Sequence, residues 1–296
     1  MKSNWTTEWS GLSPAKINLY LAVTGKRDDG FHELLSLVAQ LGFGDHISLR
    51  FQGDADVLST SHPDCPVDSS NLILKAIRAF RLAFPELPSV SAHVAKKIPM
   101  GAGLGGGSSN AATTLRILNW MTQEPLEEEE LRKIAAQLGS DCPLFLSPGP
   151  CWMRGRGELL EPAGEQLKSC LHDQAVIIFK PSFAIETPWA YQKLAQSNAH
   201  TPTKEAEAAA RLIELNAEYL FHTGGHNDFE TPIFEKYRIY APLFSSLRRL
   251  GVHPLLSGSG SACFCTIPKT IERNSVEAVI KAAFGENAII AQTTLA

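Results

Sequence analysis

Alternation of apolar and other residues near the start of the chain predicts a β-strand over residues 14–24. Successive residues of a strand point to opposite sides, so its two faces would differ. One face holds Ile17, Leu19, Leu21 and Val23, and the other holds Lys16, Asn18, Tyr20 and Ala22. We therefore expect a half-buried strand with a polar face. Shorter apolar runs predict further strands over residues 46–51, after a turn at 42–45, and over 175–180, 254–256 and 262–267.

Helical periodicity predicts a helix over residues 70–84, with Leu72, Leu74, Ile77 and Phe80 facing inward. A second helix would run from Pro125 to Leu138, because an acidic first turn favours the positive end of the helix dipole and Gly139 ends it. A third would run from residue 205 to about 220. Strands and helices are mixed without strict alternation, which predicts an α+β fold, and we expect two domains, residues 1–160 and 161–296.

A glycine run is the most informative motif of the chain. Five of the seven residues from Gly101 to Gly107 are glycine. Ser108 and Ser109 follow as candidate N-caps of a helix that continues to Met121. A glycine loop that leads into a helix N-terminus binds anions, most often phosphate, through free backbone N–H groups. The run therefore predicts a nucleotide-binding protein, against the alternative of a glycine-rich surface loop.

Known nucleotide-binding motifs differ from this run. A P-loop has Lys and then Ser or Thr after its last glycine, whereas Gly107 stands at the lysine position here. A dinucleotide-binding loop follows a buried hydrophobic strand and precedes an acidic residue by about 20 positions. Here the preceding segment is Ala95-Lys-Lys-Ile-Pro-Met100, and the next acidic residues belong to the helix-start run from Glu124 to Glu130. The catalytic-loop and metal-binding motifs of protein kinases, His-Arg-Asp and Asp-Phe-Gly, are absent from the sequence.

Composition restricts the partners and the compartment. The 296 residues carry a formal net charge of −4, which argues against nucleic acid as the main partner. No apolar stretch approaches the roughly 18 residues of a membrane span, and the N-terminus has no apolar signal region. The six cysteines are scattered without the spacing of a disulfide framework. We expect a cytoplasmic protein.

Two polar positions are candidates for chemistry, although each has an ordinary structural interpretation. Lys16 and Asn18 are two residues apart on the predicted strand, so their side chains leave the same face. A lysine on such a face is commonly just solvated. Asp141 precedes Cys142-Pro143, which is also the pattern of an N-cap before a short helix. Spacing alone leaves both alternatives open.

Three segments together resemble the signature motifs of the GHMP kinases. These are Pro14-Ala-Lys-Ile-Asn18, the glycine segment from Pro99 to Ala112, and Leu256-Ser-Gly-Ser-Gly-Ser-Ala262. Further motifs, among them Gly25–Glu33, Gly139–Pro143 and Asn227-Asp-Phe-Glu230, are similar to the branch that phosphorylates a cytidine-diphosphate-linked methylerythritol. Phe31 stands where that branch more often has tyrosine, and Cys142 fills a position that is often aliphatic.

The resemblance implies a βαβ-type ATP-binding domain, a C-terminal ferredoxin-like α+β domain, and ATP-dependent phosphorylation of the acceptor's 2-hydroxyl in non-mevalonate isoprenoid biosynthesis. It implies that Asp141 is the general base and that Lys16 stabilises the developing charge. The ATP-binding residues would be Asn71, Pro99, Met100, Gly101, Ala102, Gly103, Leu104, Gly105, Gly106, Gly107, Ser108 and Ser109. The acceptor-binding residues would be Asn18, Phe31, His32, Thr187, Gly258 and Ser259.

Some expectations go beyond these residues. Mg²⁺ is expected because phosphoryl transfer generally uses it, with Ser108 or Ser109 as a candidate ligand. A small-molecule acceptor, no nucleic acid, no membrane, and a monomer or homodimer are expected. Another GHMP kinase, of the mevalonate or homoserine type, is an alternative, and so is a nucleotide-binding regulator without catalysis. The pair Phe31-His32 after a strand and turn favours the cytidine-linked acceptor, and the presence of both Lys16 and Asp141 argues against a silent regulator.

Overall fold

The computed structural model describes residues 5–197, 199–223 and 225–296. The strands of these residues are, in chain order, β1 (Glu8–Lys26), β2 (His32–Phe51), β3 (Val57–Thr60), β4 (Val90–Ala95), β5 (Cys151–Gly155), β6 (Leu159–Pro162), β7 (Ala175–Lys180), β8 (His226–Asn227), β9 (Pro254–Leu256), β10 (Cys263–Thr266) and β11 (Ile289–Thr294). The helices are α1 (Leu72–Ala83), α2 (Gly106–Met121), α3 (Glu128–Leu138), α4 (Glu165–Leu171), α5 (Thr187–Ser197), α6 (Thr203–Leu215), α7 (Glu218–Thr223), α8 (Glu230–Lys236), α9 (Tyr240–Arg249) and α10 (Arg273–Phe284), with a short 3₁₀ turn at Pro143–Leu146.

The chain forms two compact units that do not follow chain order. Unit 1 contains the described residues up to Ala15 together with residues 44–99 and 105–148. Unit 2 contains residues 16–43, 100–104 and those from 149 onward. The long strands β1 and β2 and the glycine run each contribute residues to both units. The predicted domain boundary near residue 160 stays a prediction.

Unit 1 packs helices α1, α2 and α3 against a small sheet. The second half of β2 pairs antiparallel with β4, from His46 opposite Ala95 to Phe51 opposite Val90, and β3 pairs parallel with β4. The inward face of α1 is shifted from the prediction, because Leu72 and Leu74 are only partly buried. The buried positions of this helix are Ile73, Ala76, Ile77 and Phe80. Helix α3 begins with the acidic turn expected from the sequence, closed by a capping box between Glu127 and Glu130.

Unit 2 contains the ferredoxin-like arrangement that the resemblance implies. Its four-stranded sheet has the order β11-β7-β10-β9. If β7, β9, β10 and β11 are counted as strands 1 to 4, their order across the sheet is 4-1-3-2. Helices lie between β7 and β9 and between β10 and β11 along the chain. All of the pairings are antiparallel. The first half of β2 also pairs with β5, and β1 pairs with β8 with Tyr20 opposite His226.

Several local predictions are corrected by the structure. Residues 15–23 of β1 are buried on both faces, so the predicted polar face is not a solvated surface. Strand β2 continues through residues 42–45 without the predicted turn. At Gly44 its backbone lies so close to Ser13 that an added Cβ would collide with the Ser13 carbonyl group. The helix predicted from 205 to about 220 ends at Leu215, and a separate short helix follows at Glu218.

Candidate active site

The second glycine loop, residues Ser257–Ser261, is fixed in unit 2 by side chains from other elements. The Asn227 amide donates to the carbonyl oxygens of Leu256 at 2.8 Å and Gly258 at 2.9 Å. The Tyr240 hydroxyl donates to the Ser261 carbonyl oxygen at 3.0 Å. Since Asn227 and Tyr240 are buried, these bonds hold the loop backbone in one conformation. Asn227 was not among the predicted site residues, although it lies in a quoted motif.

The first part of the glycine run, Met100–Leu104, lies directly on this loop within unit 2. The Ala262 amide donates to the Ala102 carbonyl oxygen at 3.1 Å, and the Ser257 hydroxyl donates to the Gly103 carbonyl oxygen at 3.2 Å. Gly103 has a φ of 77°, and a Cβ there would collide with the Ser257 carbonyl oxygen. Only glycine therefore fits at this position, for both conformation and space.

Lys16 and Asn18 lie beside the second glycine loop. The Lys16 ammonium donates to Asn18 Oδ1 at 2.7 Å, and Asn18 Nδ2 donates to the Ser36 hydroxyl at 2.9 Å. A Cβ on Gly258 would lie 3.4 Å from Asn18 Oδ1 and 3.5 Å from Lys16 Nζ. The predicted acceptor residues Thr187 and Ser259 meet at the same loop, with their hydroxyl oxygens 2.9 Å apart. The structure thus brings Lys16, Asn18, Thr187, Gly258 and Ser259 to one glycine-rich loop.

Phe31 and His32 belong to an aromatic group in unit 2. The Phe31 side chain is 51% exposed, and the Arg156 guanidinium lies over its ring, 4.7 Å from the centroid. The His32 ring stacks on Tyr191 with centroids 4.8 Å apart, and it also faces His200. Burial, with smaller contributions from His200 and Lys26, lowers the pKa of His32, so its imidazole is neutral at pH 7.

In unit 1, the N-terminus of α2 is open in the way that an anion site requires. The N-cap is Gly105, with φ 72° and no side-chain hydrogen bond to the helix, so the predicted capping by Ser108 or Ser109 is wrong. Both serines lie within the first turn. The Ser109 hydroxyl is fully buried against Ser13 at 2.8 Å, whereas Ser108 is only partly buried. The first amides of α2 therefore have no side-chain cap to satisfy them.

A buried ion pair supports the approach to this helix. Lys96 pairs with Asp45, which is 0% exposed. The other Asp45 oxygen accepts from the amides of Lys97 and Ile98, both at 2.8 Å. These two residues directly precede Pro99 and the glycine run, so Asp45 fixes the backbone at its entrance. Sequence analysis missed this pair because Asp45 fell in a predicted turn.

Asp141 and Asn71 also belong to unit 1. Asp141 is partly buried, and the N-cap position of the 3₁₀ turn at Pro143–Leu146 is Cys142, which makes no side-chain capping hydrogen bond. The role of Asp141 stays a prediction. Burial raises the pKa of the Cys142 thiol to about 11. The Ser108 hydroxyl acts to lower this pKa, and the Asp141 carboxylate acts to raise it. Asn71 caps α1 by accepting from the Ile73 amide at 2.9 Å, and its role towards ATP stays a prediction.

The described residues also bear on metal ligation, membrane spans and disulfide bonds. They contain no group of three or more His, Cys, Asp or Glu side chains placed to hold a metal ion. None of their helices is long and apolar enough to cross a membrane. All six cysteines are free thiols.

Comparison with known proteins confirms the resemblance seen in the sequence. Residues 71–149 match the N-terminal domain of the GHMP kinases. The chain is 40% identical over 255 residues to the 4-diphosphocytidyl-2-C-methyl-D-erythritol kinase of Protochlamydia amoebophila (strain UWE25), covering 86% of this chain and 83% of that protein. A crystal structure of a 4-(cytidine 5'-diphospho)-2C-methyl-D-erythritol kinase superposes with a TM-score of 0.76 at 28% identity, covering 97% of this chain and 100% of that one. The homoserine kinase of Cytophaga hutchinsonii superposes with a TM-score of 0.73 at 14% identity, covering 100% of this chain and 96% of that one, which shows a shared fold alone.

Proposed function

Because the chain belongs to the 4-diphosphocytidyl-2-C-methyl-D-erythritol kinases, a family of GHMP kinases, we propose that it phosphorylates that cytidine-linked acceptor. The γ-phosphoryl group of ATP would move to the acceptor's 2-hydroxyl, a step in isoprenoid biosynthesis. The observation that carries the proposal is the buried Lys16–Asn18 pair beside the second glycine loop. A buried ammonium next to loop backbone is suited to hold an anion and a hydroxyl together.

The glycine run is proposed to bind the phosphates of ATP through its backbone. Residues 105–108 form the open N-terminus of α2, where N–H groups and the helix dipole attract negative charge. Pro99 to Leu104 would complete the cradle. No side chain in the run supplies the lysine of a P-loop, so backbone donors carry this task.

Asp141 and Lys16 are the proposed catalytic residues. Asp141 would accept the proton of the 2-hydroxyl as that oxygen attacks the γ-phosphorus. Lys16 would stabilise the negative charge that grows on the attacking oxygen and on the transferred phosphoryl group. Asn18, oriented by Lys16 and Ser36, would place the acceptor hydroxyl.

Recognition of the acceptor is assigned to the aromatic group and to the second glycine loop. The Phe31 ring is exposed enough to stack on cytosine. The neutral His32 imidazole has one donor and one acceptor, which suits the edge of cytosine, with its N3 acceptor and amino donor. Thr187, Gly258 and Ser259 would contact the rest of the acceptor.

Mg²⁺ is part of the proposal, and the donors present in unit 1 fit it. The Ser108 hydroxyl lies in the first turn of α2, beside the segment that carries Asp141. A hydroxyl, together with phosphate oxygens and water, is a donor set that Mg²⁺ accepts. When bound, the ion would neutralise charge on the phosphates.

The remaining partners and the compartment are also proposed. The net charge of −4 supports small molecules rather than nucleic acid as partners. The six free cysteines support a reducing compartment, and we propose the cytoplasm. A monomer or homodimer stays the proposed assembly.

A coupled ADP-release assay tests the proposed function. The acceptors would be the cytidine-linked methylerythritol, its uridine-linked analogue, free methylerythritol, mevalonate and homoserine. We expect turnover with the first and strong discrimination against the second, because uracil reverses the donor and acceptor at the base edge. Equal use of both nucleotides would contradict the cytidine assignment. Turnover of mevalonate or homoserine would indicate another GHMP kinase, and ATP binding without turnover would indicate a regulator.

A further inference from the structure

Arg156 has an unusual position beside the predicted base-stacking residue. Its guanidinium lies over the Phe31 ring, 4.7 Å from the ring centroid, on the exposed turn between β5 and β6. Within residues 5–197, 199–223 and 225–296, the guanidinium forms no hydrogen bond or ion pair, and it interacts with Asp29 through its charge alone. An arginine in such a stack keeps its five N–H donors along the edge of the plane, free for a ligand.

The neighbouring carboxylates are engaged elsewhere. Asp29 pairs with Arg27 at 3.2 Å and accepts from the Phe31 amide at 3.1 Å. Glu33 pairs with Arg27 at 2.8 Å and accepts from the Gly155 amide at 3.1 Å. Glu158 accepts from the backbone amide of Arg156 at 2.6 Å. These bonds fix the turn that carries Arg156 and leave its guanidinium without a hydrogen-bonded carboxylate.

The exposed face of Phe31 and the free edge of Arg156 thus offer a surface for a base together with an anion. Guanidinium groups bind phosphate oxygens in pairs, more specifically than ammonium groups do. We propose that Arg156 and Phe31 form one subsite for a pyrimidine nucleoside diphosphate, in which the ring stacks on the base and the guanidinium binds the pyrophosphate. This inference rests on the proposed function, because the acceptor supplies that group.

Competitive inhibition against the acceptor tests the subsite. Cytidine, CMP and CDP are used as probes with wild type, Arg156→Gln and Arg156→Lys. For wild type we expect CDP to inhibit about 10- to 100-fold more strongly than cytidine, the range of one or two charge-assisted hydrogen bonds. In Arg156→Gln this advantage of CDP should fall to within about threefold, while inhibition by cytidine and the KM for ATP stay unchanged. Arg156→Lys should recover part of the advantage, because charge remains but paired donation is lost.

Arg248→Gln is a matched control, since Arg248 is also exposed and lies over a phenylalanine ring, that of Phe244, at 5.8 Å. Arg248→Gln should leave the ratio between inhibition by CDP and inhibition by cytidine unchanged. An unchanged ratio in Arg156→Gln would overturn the subsite while leaving the proposed function intact. A rise in the KM for ATP in Arg156→Gln would place the guanidinium at the other nucleotide and also overturn it. Failure of every cytidine compound to compete in wild type would overturn both proposals.

Discussion

Lys16 is 6% exposed, and a charged side chain in that position needs compensation, because removing an ammonium from water is costly. Its hydrogen bond to Asn18 Oδ1 supplies part of that compensation. Stabilisation of negative charge on the substrate would explain why a charged residue occupies this buried strand. Burial therefore excludes the interpretation of Lys16 as a solvated surface lysine, and its catalytic role stays a prediction.

Lys16→Met removes the charge and keeps an unbranched side chain of similar length. We expect kcat and kcat/KM for the acceptor to fall together by about 10²–10³-fold, because the charge matters most when negative charge grows in the transition state. Steady-state kinetics checks this, with the melting temperature as a control for folding. An effect confined to the KM for the acceptor would mean that Lys16 binds the acceptor without stabilising the transition state.

Asp141→Asn keeps the size of the side chain and removes its basicity. We expect kcat to fall by about 10²–10⁴-fold, the range for a positioned base, with the affinity for ATP close to wild type. Calorimetric titration with ATP and the ADP-release assay measure both quantities. Near-normal turnover would exclude Asp141 as the base.

Phe31→Ala should weaken binding of the acceptor and leave binding of ATP unchanged. Stacking on a base contributes about 1–3 kcal/mol, so we expect the KM for the acceptor to rise about 5- to 150-fold. Phe31→Tyr should be nearly neutral, because stacking needs the ring alone, and His32→Ala should resemble Phe31→Ala. Kinetics with each substrate varied in turn would reveal the difference. Equal increases in both KM values would argue for a general structural role of Phe31.

Among the elements, helix α2 shows how a local backbone conformation prepares a binding site. Gly105 has φ 72° at the N-cap, a left-handed conformation that glycine adopts without strain. Because no side chain caps the helix there, the first N–H groups remain for a ligand. A serine or aspartate cap would satisfy those groups internally and reduce their value for phosphate.

Gly105→Asp should abolish ATP binding for this reason, since its carboxylate would occupy space near the amides and repel the phosphates. Gly149→Asp is a matched control, because Gly149 also has a positive φ, 74°, and nothing lies within 4 Å of an added Cβ. Calorimetric titration with a non-hydrolysable ATP analogue is the measurement. Undiminished affinity in a folded Gly105→Asp variant would show that ATP does not use this loop.

For the whole molecule, Glu230 links stability to pH. Its carboxylate accepts from the Leu256 amide at 2.9 Å, just before the second glycine loop. Burial raises the pKa of Glu230 to about 7, and the Leu256 amide, Arg248 and His226 oppose this. In the unfolded chain the carboxyl has its ordinary pKa of about 4.3. Between these values the folded state binds more protons than the unfolded state, so this group's contribution to stability falls as pH rises from about 4.5 to 7.

Glu230→Gln does not titrate and keeps a carbonyl oxygen for the Leu256 amide. We expect it to melt roughly 5 °C above wild type at pH 8, with the difference shrinking towards pH 5, where wild-type Glu230 is protonated. Thermal unfolding of both proteins across this range compares them directly. A difference that stays constant from pH 5 to pH 8 would mean that Glu230 does not titrate as described.

The sequence by itself determined the family and part of the elements. Five glycines in seven residues, the alternation in β1 and the acidic start of α3 act through local backbone preferences, which are legible in a short window of sequence. The three quoted motifs were sufficient to predict a GHMP kinase, and further motifs such as Gly25–Glu33 predicted the acceptor class. Relatives covering most of the chain confirm the family.

Only the tertiary structure decided which polar groups are buried and what they contact. Pairs such as Asp45 with Lys96, or Asn227 with Gly258, join residues far apart in the chain, and no local pattern encodes their approach. The same holds for Gly103, whose need for glycine comes from the backbone of Ser257. The burial of both faces of β1 was also invisible to periodicity, because alternation reports one apolar face and cannot show what covers the other.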